Sequence, residues 1–192
     1  KMIVVGDSNT FAAVYAPGTP NPLAMTAQVV NAGEVMGVAF GADNSSVFSC
    51  GRDGSARLTA GPKPDGTTAG NTSTKLRDYS GHTGAVTCLA VVPDGSLLVT
   101  GGEDKTVRIW EVTSGKQLRA FQGHLGKVSA VAARGDGTQV ASASEDGAIR
   151  VWDMAADDDH RSLTEATDSL WAVAFSPNGK RVAAAGADRA VR

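Results

Sequence analysis

Length, composition and charge place this chain among compact, soluble domains. It has 192 residues, of which 42% are hydrophobic and 20% are charged, and its formal net charge is −2. No apolar run is long enough to span a membrane, and the near-neutral charge argues against a broad nucleic-acid surface, which would show a basic patch. The two cysteines demand no disulfide. We therefore expect an intracellular protein, in the cytoplasm in the first place, with the nucleus or a cilium as alternatives.

The chain consists of copies of one unit. Three kinds of marker recur at an interval of 42 residues: Gly81-His82 and Gly123-His124; Asp104, Asp146 and Asp188; Trp110 and Trp152. Chemically distinct markers that keep one interval indicate a repeat architecture. In chain order the copies are 2–15, which matches only the second half of a unit, then 33–59, 81–111, 123–153 and 168–192.

Each copy predicts four short antiparallel strands. In the copy that begins at Gly81, the segments AVTCLAVV, SLLVTGG and TVRIWEV are rich in β-branched residues and are separated by Pro-Asp-Gly and Glu-Asp-Lys turns. This alternation of apolar runs and turn residues is typical of antiparallel strands. A fourth strand follows in KQLRAFQ (116–122), with counterparts at 74–80 and 160–166.

Four-stranded units of about 40–45 residues that carry Gly-His and Trp-Asp marks resemble the blades of WD-repeat β-propellers. The resemblance covers the chain throughout and is strongest from 81 to 192. It implies an all-β fold, with antiparallel blades at roughly 1–30 (partial), 31–80, 81–122, 123–166 and 167–192 (partial). Because these make about four and a half blades and both ends fall inside the pattern, we expect the chain to be part of a seven-bladed ring.

The resemblance also implies a buried hydrogen-bond network, since a buried Trp needs a partner for its indole N–H. The Trp would bond a Ser or Thr hydroxyl, the hydroxyl would bond the His of the Gly-His pair, and the His would bond the turn Asp. The predicted full set is His124, Ser144, Asp146 and Trp152.

The other blades are expected to have incomplete networks. The blade that begins at Gly81 has His82, Asp104 and Trp110, but Gly102 stands at the predicted hydroxyl position, so a gap or a water is expected there. The two outer blades are those at 31–80 and 167–192. Their predicted His positions hold Asn31 and Ala166, and their predicted hydroxyl positions hold Gly51 and Gly186. The turn residues Asp53 and Asp188 remain.

A Ser, a His and an Asp that converge could also form an activated nucleophile. Ser144 lacks a flanking oxyanion-binding turn such as G-x-S-x-G, and the pattern recurs in a sister blade without the Ser, so we predict no catalytic residues. The segment from Asp157 to His160 is interpreted as a solvated acidic turn rather than a metal site. No Gly-rich phosphate-binding loop occurs in the sequence, so no cofactor and no small-molecule substrate are expected.

Side chains that the blades do not need are the candidates for binding. By resemblance, three positions per blade face the upper rim of the ring: three and five residues after the His, and the residue before the turn Asp. These positions hold Glu34, Met36 and Arg52; Ala85, Thr87 and Glu103; Lys127, Ser129 and Glu145; and Ser169, Trp171 and Ala187. The candidate partner-binding residues among them are Trp171, Met36, Arg52, Glu103, Lys127 and Glu145. Trp171 could anchor a partner, or it could fill the space left by Ala166.

One insertion interrupts the repeat. The segment AGPKPDGTTAGNTSTK (60–75) lengthens the spacing between Asp53 and Asp104 to 51 residues. Its Gly, Pro, Thr and Asn content predicts an extended surface loop on the face opposite Trp171. A tolerated insertion is favoured over a partner-binding loop.

The sequence therefore favours a non-catalytic scaffold that binds other proteins through its rim and loops, without membrane insertion and without nucleic acid as a direct ligand. Two alternatives stay open. The chain could be a fixed subunit of a large assembly, such as a ribonucleoprotein or a ciliary complex. It could also be the targeting or regulatory part of a larger enzyme, such as a kinase or ubiquitin-ligase assembly, although Trp152-Asp153 is not followed by the Arg typical of ubiquitin-ligase receptors.

Overall fold

Within each blade, a strand pairs with its neighbours in sequence, and most of these strands are joined by short turns. The computed structural model describes residues 33–60, 75–156, 160–164 and 166–192, together with the backbone of 3–6 and 12–15. The strands are β1 (Ile3–Gly6), β2 (Ala12–Tyr15), β3 (Val35–Phe40), β4 (Ser46–Gly51), β5 (Ser55–Ala60), β6 (Lys75–Ser80), β7 (Val86–Val91), β8 (Leu97–Gly102), β9 (Val107–Glu111), β10 (Gln117–Phe121), β11 (Val128–Ala133), β12 (Gln139–Ser144), β13 (Ile149–Asp153), β14 (His160–Leu163), β15 (Leu170–Phe175) and β16 (Val182–Gly186). Within these ranges we find no helix that could cross a membrane.

Three sheets contain four strands each, and in every one the spatial order follows the chain. They are β3–β6, β7–β10 and β11–β14, and two further pairs, β1–β2 and β15–β16, each form a two-stranded sheet. All of the pairings are antiparallel. The all-β class and the four-stranded antiparallel blades predicted from the sequence are confirmed.

Asp side chains accept the hydrogen bonds that stabilise the turn after the first strand in three of the described blades. Asp94 Oδ1 accepts from Ser96 N at 2.9 Å and from Ser96 Oγ at 2.7 Å. Asp136 does the same with Thr138, at 3.1 and 2.8 Å. Short polar side chains stabilise tight turns in this way, which is why an Asp and a Ser or Thr follow the first strand of the blades.

The apolar core lies between neighbouring blades. Tyr79 of one blade packs edge-on against Trp110 of the next, with 6.1 Å between ring centroids, and Phe121 stacks on Trp152 at 5.1 Å. Aliphatic side chains surround each aromatic pair, and the second strand of the three full blades is buried along most of its length. A blade therefore buries its faces only by stacking on its neighbours.

Side chains of the fourth strands also bond to the following blade. Arg77 Nη1 donates to the carbonyl of Val112 at 2.7 Å, and the hydroxyl of Tyr79 donates to the same oxygen at 3.0 Å. One blade later, Arg119 donates to the carbonyl of Met154 at 3.3 Å. These contacts fix neighbouring blades at their outer edges.

A β-bulge interrupts the first strand of four successive blades at the same place. The register shifts between Val35 and Gly37, Val86 and Cys88, Val128 and Ala130, and Leu170 and Ala172. The extra residues are Met36, Thr87, Ser129 and Trp171. Because a bulge leaves one residue out of the ladder and redirects its side chain, these four side chains are available for other contacts.

Several predicted features lie outside the described residues. They are most of the partial blade at 1–30, Asn31, the loop residues 61–74 and the acidic residues Asp157–Asp159.

Candidate functional site

A continuous chain of hydrogen bonds lies inside the blade that begins at Gly81. Trp110 Nε1 donates to Thr100 Oγ1 at 2.8 Å, and Thr100 Oγ1 lies 2.8 Å from His82 Nε2. His82 Nδ1 is 2.9 Å from Asp104 Oδ1. An indole N–H can only donate, so the threonine hydroxyl donates onward to Nε2 and the imidazole carries its proton on Nδ1, where it donates to the carboxylate.

The next blade repeats this arrangement. Trp152 Nε1 donates to Ser142 Oγ at 2.8 Å, Ser142 Oγ lies 2.7 Å from His124 Nε2, and His124 Nδ1 lies 3.0 Å from Asp146 Oδ2. Two neighbouring blades therefore have complete networks.

Two predictions about the hydroxyl were wrong. The serine in the network is Ser142 rather than Ser144, whose Oγ accepts from Asp146 N at 3.1 Å instead. The sister blade is not incomplete at Gly102, because Thr100 supplies its hydroxyl. A side chain at Gly102 would place a Cβ 2.7 Å from His82 Nδ1, which favours glycine there.

The cause of the error is strand geometry. Residues two apart on a strand face the same side, so the alternation of side chains along the strand does not distinguish Ser142 from Ser144. The interval of 42 residues between Thr100 and Ser142 could have identified the right position. By the same correction, the hydroxyl positions of the outer blades hold Ser49 and Ala184 rather than Gly51 and Gly186.

In each of four copies, an Arg lies four residues after the Asp of the turn between the second and third strands, and its side chain lies close to that Asp. These arginines were not among the residues predicted from the sequence. The Arg–Asp distances are 2.6 Å for Arg57 with Asp53, 3.3 Å for Arg108 with Asp104, 3.8 Å for Arg150 with Asp146, and 2.6 Å for Arg192 with Asp188. The Asp-x-x-x-Arg spacing occurs in all four copies and was a visible signal. The outer blades, which lack the His, keep this ion pair.

Burial and hydrogen bonding determine the charge states in the network. Burial lowers the pKa of His82 and of His124, so both imidazoles are neutral near pH 7, as the hydrogen-bond directions require. Burial alone would raise the pKa of Asp104, but hydrogen bonds from His82 and Thr106 outweigh it and bring the pKa to about 2. Asp146 is likewise lowered, because the backbone N–H groups of Leu125 and Ala148 and the ring of His124 outweigh the effect of burial.

These shifts predict that acid destabilises the protein in two steps. The histidines titrate at about 6.5 in the unfolded chain and lower in the folded one, so the unfolded state gains protons first and stability falls as pH drops below about 6.5. The carboxylate of Asp104 contributes stability above about pH 4, and that stability is lost as pH falls towards 2; Asp146, whose pKa is also lowered, acts in the same direction. Urea unfolding at a series of pH values from 8 to about 3 measures both steps, and higher stability at pH 5 than at pH 7.5 would contradict the first.

The Ser-His-Asp geometry does not expose a nucleophile. Ser142 is 0% exposed, and its oxygen already accepts the indole N–H of Trp152. A substrate cannot reach a hydroxyl enclosed in this way, so the trio acts as a structural link between strands. Among the residues that the structure describes, no group of three His, Cys, Asp or Glu side chains could hold a metal ion.

The bulge residues line a surface cleft of about 250 Å³. Its walls are Met36, Thr87, Lys127, Ser129, Glu145 and Trp171, all of which are among the rim positions named from the sequence. Trp171 is 62% exposed and Met36 is 40% exposed. Trp171 is thus held at a bulge with most of its surface open to solvent.

Polar groups lie between these two apolar side chains. Lys127 Nζ and Glu145 Oε1 form an ion pair at 2.9 Å, and both side chains are more than a third exposed. Thr87 Oγ1, which carries one proton, lies within hydrogen-bond distance of two carbonyl oxygens, that of Gly101, at 3.0 Å, and that of Val128. Ser129 Oγ is buried without a hydrogen-bond partner.

Two other candidate rim residues are not part of the cleft. Arg52 forms an exposed ion pair with Glu34 at 3.1 Å, and Glu103 Oε2 accepts from Ala85 N at 3.4 Å. Of the six candidate partner-binding residues, the structure brings together Trp171, Met36, Lys127 and Glu145.

Sheets stacked side by side, with this hydrogen-bond network in two of them, define the blades of a β-propeller. The family model described as WD domain, G-beta repeat matches residues 26–59, 73–111, 115–153 and 159–192. These four stretches are well over half of the sequence, and the chain belongs to the WD-repeat family. Domains of this family are generally non-catalytic interaction modules.

Three curated relatives show how the similarity is distributed. Protein groucho of Drosophila melanogaster is 27% identical over 117 residues, which are 61% of this chain and 15% of that protein. Serine-threonine kinase receptor-associated protein of Gallus gallus is 46% identical over 46 residues, 24% of this chain and 13% of that protein. Ribosome biogenesis protein erb1 of Neosartorya fischeri is 58% identical over 39 residues, 20% of this chain and 5% of that protein. The chain thus matches only a small part of the length of each relative.

Proposed function

We propose that this chain is a non-catalytic platform that binds other proteins, and that the cleft at the bulges is its main contact. The observation that carries the proposal is the exposed indole of Trp171, which faces the same cleft as Met36. Large aromatic side chains held at a rigid surface are typical anchors of protein interfaces. Family membership supports the same role.

The shape and charge of the cleft favour a protein over other ligands. It is open and holds about 250 Å³, below the size of most cofactor sites, which argues against a small-molecule substrate. Among the described residues that line the cleft, the single cation is Lys127, which is already paired with Glu145, so these residues offer no basic stripe to a phosphate backbone. Neither nucleic acid nor a membrane is part of the proposal.

The two cysteines are consistent with an intracellular location. Cys50 and Cys88 are free thiols, and burial raises the pKa of Cys88 to about 12 and that of Cys50 well above its ordinary value. Buried protonated thiols are unreactive and need no oxidising environment. We infer that the protein works inside the cell.

Affinity purification of the full-length protein with mass spectrometry tests the proposal. We expect Trp171→Ala to remove a defined set of bound proteins, because truncating an anchor costs about 2 kcal/mol or more of binding free energy. Leu125→Ala is the matched control, since Leu125 is 79% exposed and does not line the cleft.

The thermal midpoint of both variants should equal that of the wild type, which shows that the protein stays folded. An unchanged set of partners with Trp171→Ala would place binding elsewhere on the protein. Partners that co-purify in fixed stoichiometry through salt washes would favour a structural subunit over a transient scaffold.

A further inference from the structure

The bulge residues of two neighbouring blades, Thr87 and Ser129, differ in the hydrogen bonding of their hydroxyl groups. The hydroxyl of Thr87 donates across the blade boundary to the carbonyl of Val128. Ser129 occupies the same position one blade later, 42 residues on, yet its hydroxyl has no hydrogen-bond partner. A buried hydroxyl without a partner is destabilising, so a bound group that pairs with it would bind more tightly.

The other walls of the cleft restrict the chemistry of that group. The exposed face of Trp171 attracts flat apolar groups and cations, and it repels anions because the ring face is negative. The thioether of Met36 offers further polarisable surface. Glu145 Oε1 lies 2.9 Å from Lys127 Nζ, and the Glu145 side chain is 44% exposed, so its carboxylate can accept a further hydrogen bond in the cleft.

We propose that the cleft binds an arginine side chain from an extended segment of the protein partner, an inference that rests on the function proposed above. The guanidinium stacks on Trp171 and donates N–H groups to Ser129 Oγ and to Glu145. Its aliphatic stem covers Met36. Because the ion pair of Lys127 and Glu145 is solvent-accessible, exchanging part of it for a new contact costs little.

Other side chains fit these walls less well. A lysine ammonium would also be attracted to Trp171, but it is a compact charge without the planar fork that reaches two acceptors while stacked. A carboxylate would meet the face of an aromatic ring and the charge of Glu145, while the one cation in these walls, Lys127, is already paired with Glu145. A tyrosine would cover the apolar walls and leave one of the two acceptors unused.

The test uses calorimetric titration of the full-length protein with capped pentapeptides Gly-Ala-Xaa-Ala-Gly, where Xaa is arginine, citrulline, lysine, glutamate or tyrosine. Citrulline has nearly the shape of arginine and carries no charge. We expect the arginine peptide to bind about tenfold more tightly than the citrulline peptide, as a partly desolvated cation–π contact allows.

The variants separate the contributions of the walls. Trp171→Ala should weaken binding of the arginine peptide about tenfold, whereas Trp171→Phe, which keeps an aromatic face, should weaken it only about threefold. Ser129→Ala should weaken it about fivefold. Leu125→Ala should change nothing.

Equal affinity for arginine and citrulline, tightest binding by tyrosine or glutamate, or no measurable binding of the arginine peptide at millimolar concentration would each overturn the arginine assignment. If partners depend on Trp171 while the arginine peptide does not bind, the platform stands and the arginine assignment fails. If the peptide binds but Trp171→Ala loses no partner, the cleft takes arginine and the proposed function fails.

Discussion

Trp152→Ala should lower the free energy of unfolding by about 3–5 kcal/mol, the range measured when a large buried aromatic is truncated. Trp152 is completely buried, stacks on Phe121 of the preceding blade at 5.1 Å and donates its indole N–H to Ser142. The substitution therefore opens a cavity between two blades and removes one end of a buried network. Urea unfolding followed by circular dichroism measures the loss.

The chain supplies its own control for that measurement, because the same substitution can be made at an exposed position. Trp171→Ala should change the free energy of unfolding by less than about 0.5 kcal/mol, since its side chain is largely open to solvent. If Trp152→Ala does not fold, Trp152→Phe keeps the stacking on Phe121 and should lose a smaller amount. Equal losses at Trp152 and Trp171 would contradict the packing described here.

Thr100→Val should destabilise the protein by about 2–5 kcal/mol, although the two side chains have nearly the same shape. The threonine hydroxyl serves two buried partners, Trp110 Nε1 and His82 Nε2, each at 2.8 Å. Valine leaves both without a hydrogen bond, and each unsatisfied buried group costs about 1–3 kcal/mol.

Ser144→Ala is the matched control for Thr100→Val. Ser144 Oγ accepts one hydrogen bond from Asp146 N, and the sister blade has a glycine at the same position, so the expected loss is about 1 kcal/mol. Ser142→Ala should resemble Thr100→Val. A larger loss for Ser144→Ala than for Ser142→Ala, measured by urea unfolding, would restore the hydroxyl assignment first made from the sequence.

The sequence was sufficient to predict the fold because the repeat interval, the turn residues and the Gly-His and Trp-Asp marks all agree. It was not sufficient to place the network hydroxyl, because Ser142 and Ser144 point to the same side of one strand. Comparing Thr100 with Ser142 across the repeat would have identified the network hydroxyl. In the same way, the spacing of Arg108 and Arg150 from Asp104 and Asp146 would have predicted the ion pairs.

The composition of the cleft could be predicted only in part. The repeat assigns Arg52, Glu103 and Trp171 to comparable rim positions, but it does not show that Arg52 pairs with Glu34 outside the cleft. The unpartnered hydroxyl of Ser129 depends on distances across a blade boundary, which a sequence pattern does not contain. The blade limits, the seven-bladed ring and the binding roles of the rim residues stay predictions.

The four bulges have a consequence for how binding specificity can change over evolution. Met36, Thr87, Ser129 and Trp171 occupy equivalent places, yet they are a thioether, two alcohols and an indole. Each is left out of the strand pairing, so its replacement leaves the hydrogen-bond ladder of the blade intact. A propeller of this kind can acquire a new partner through substitutions at a few such positions while its stability is maintained by other residues.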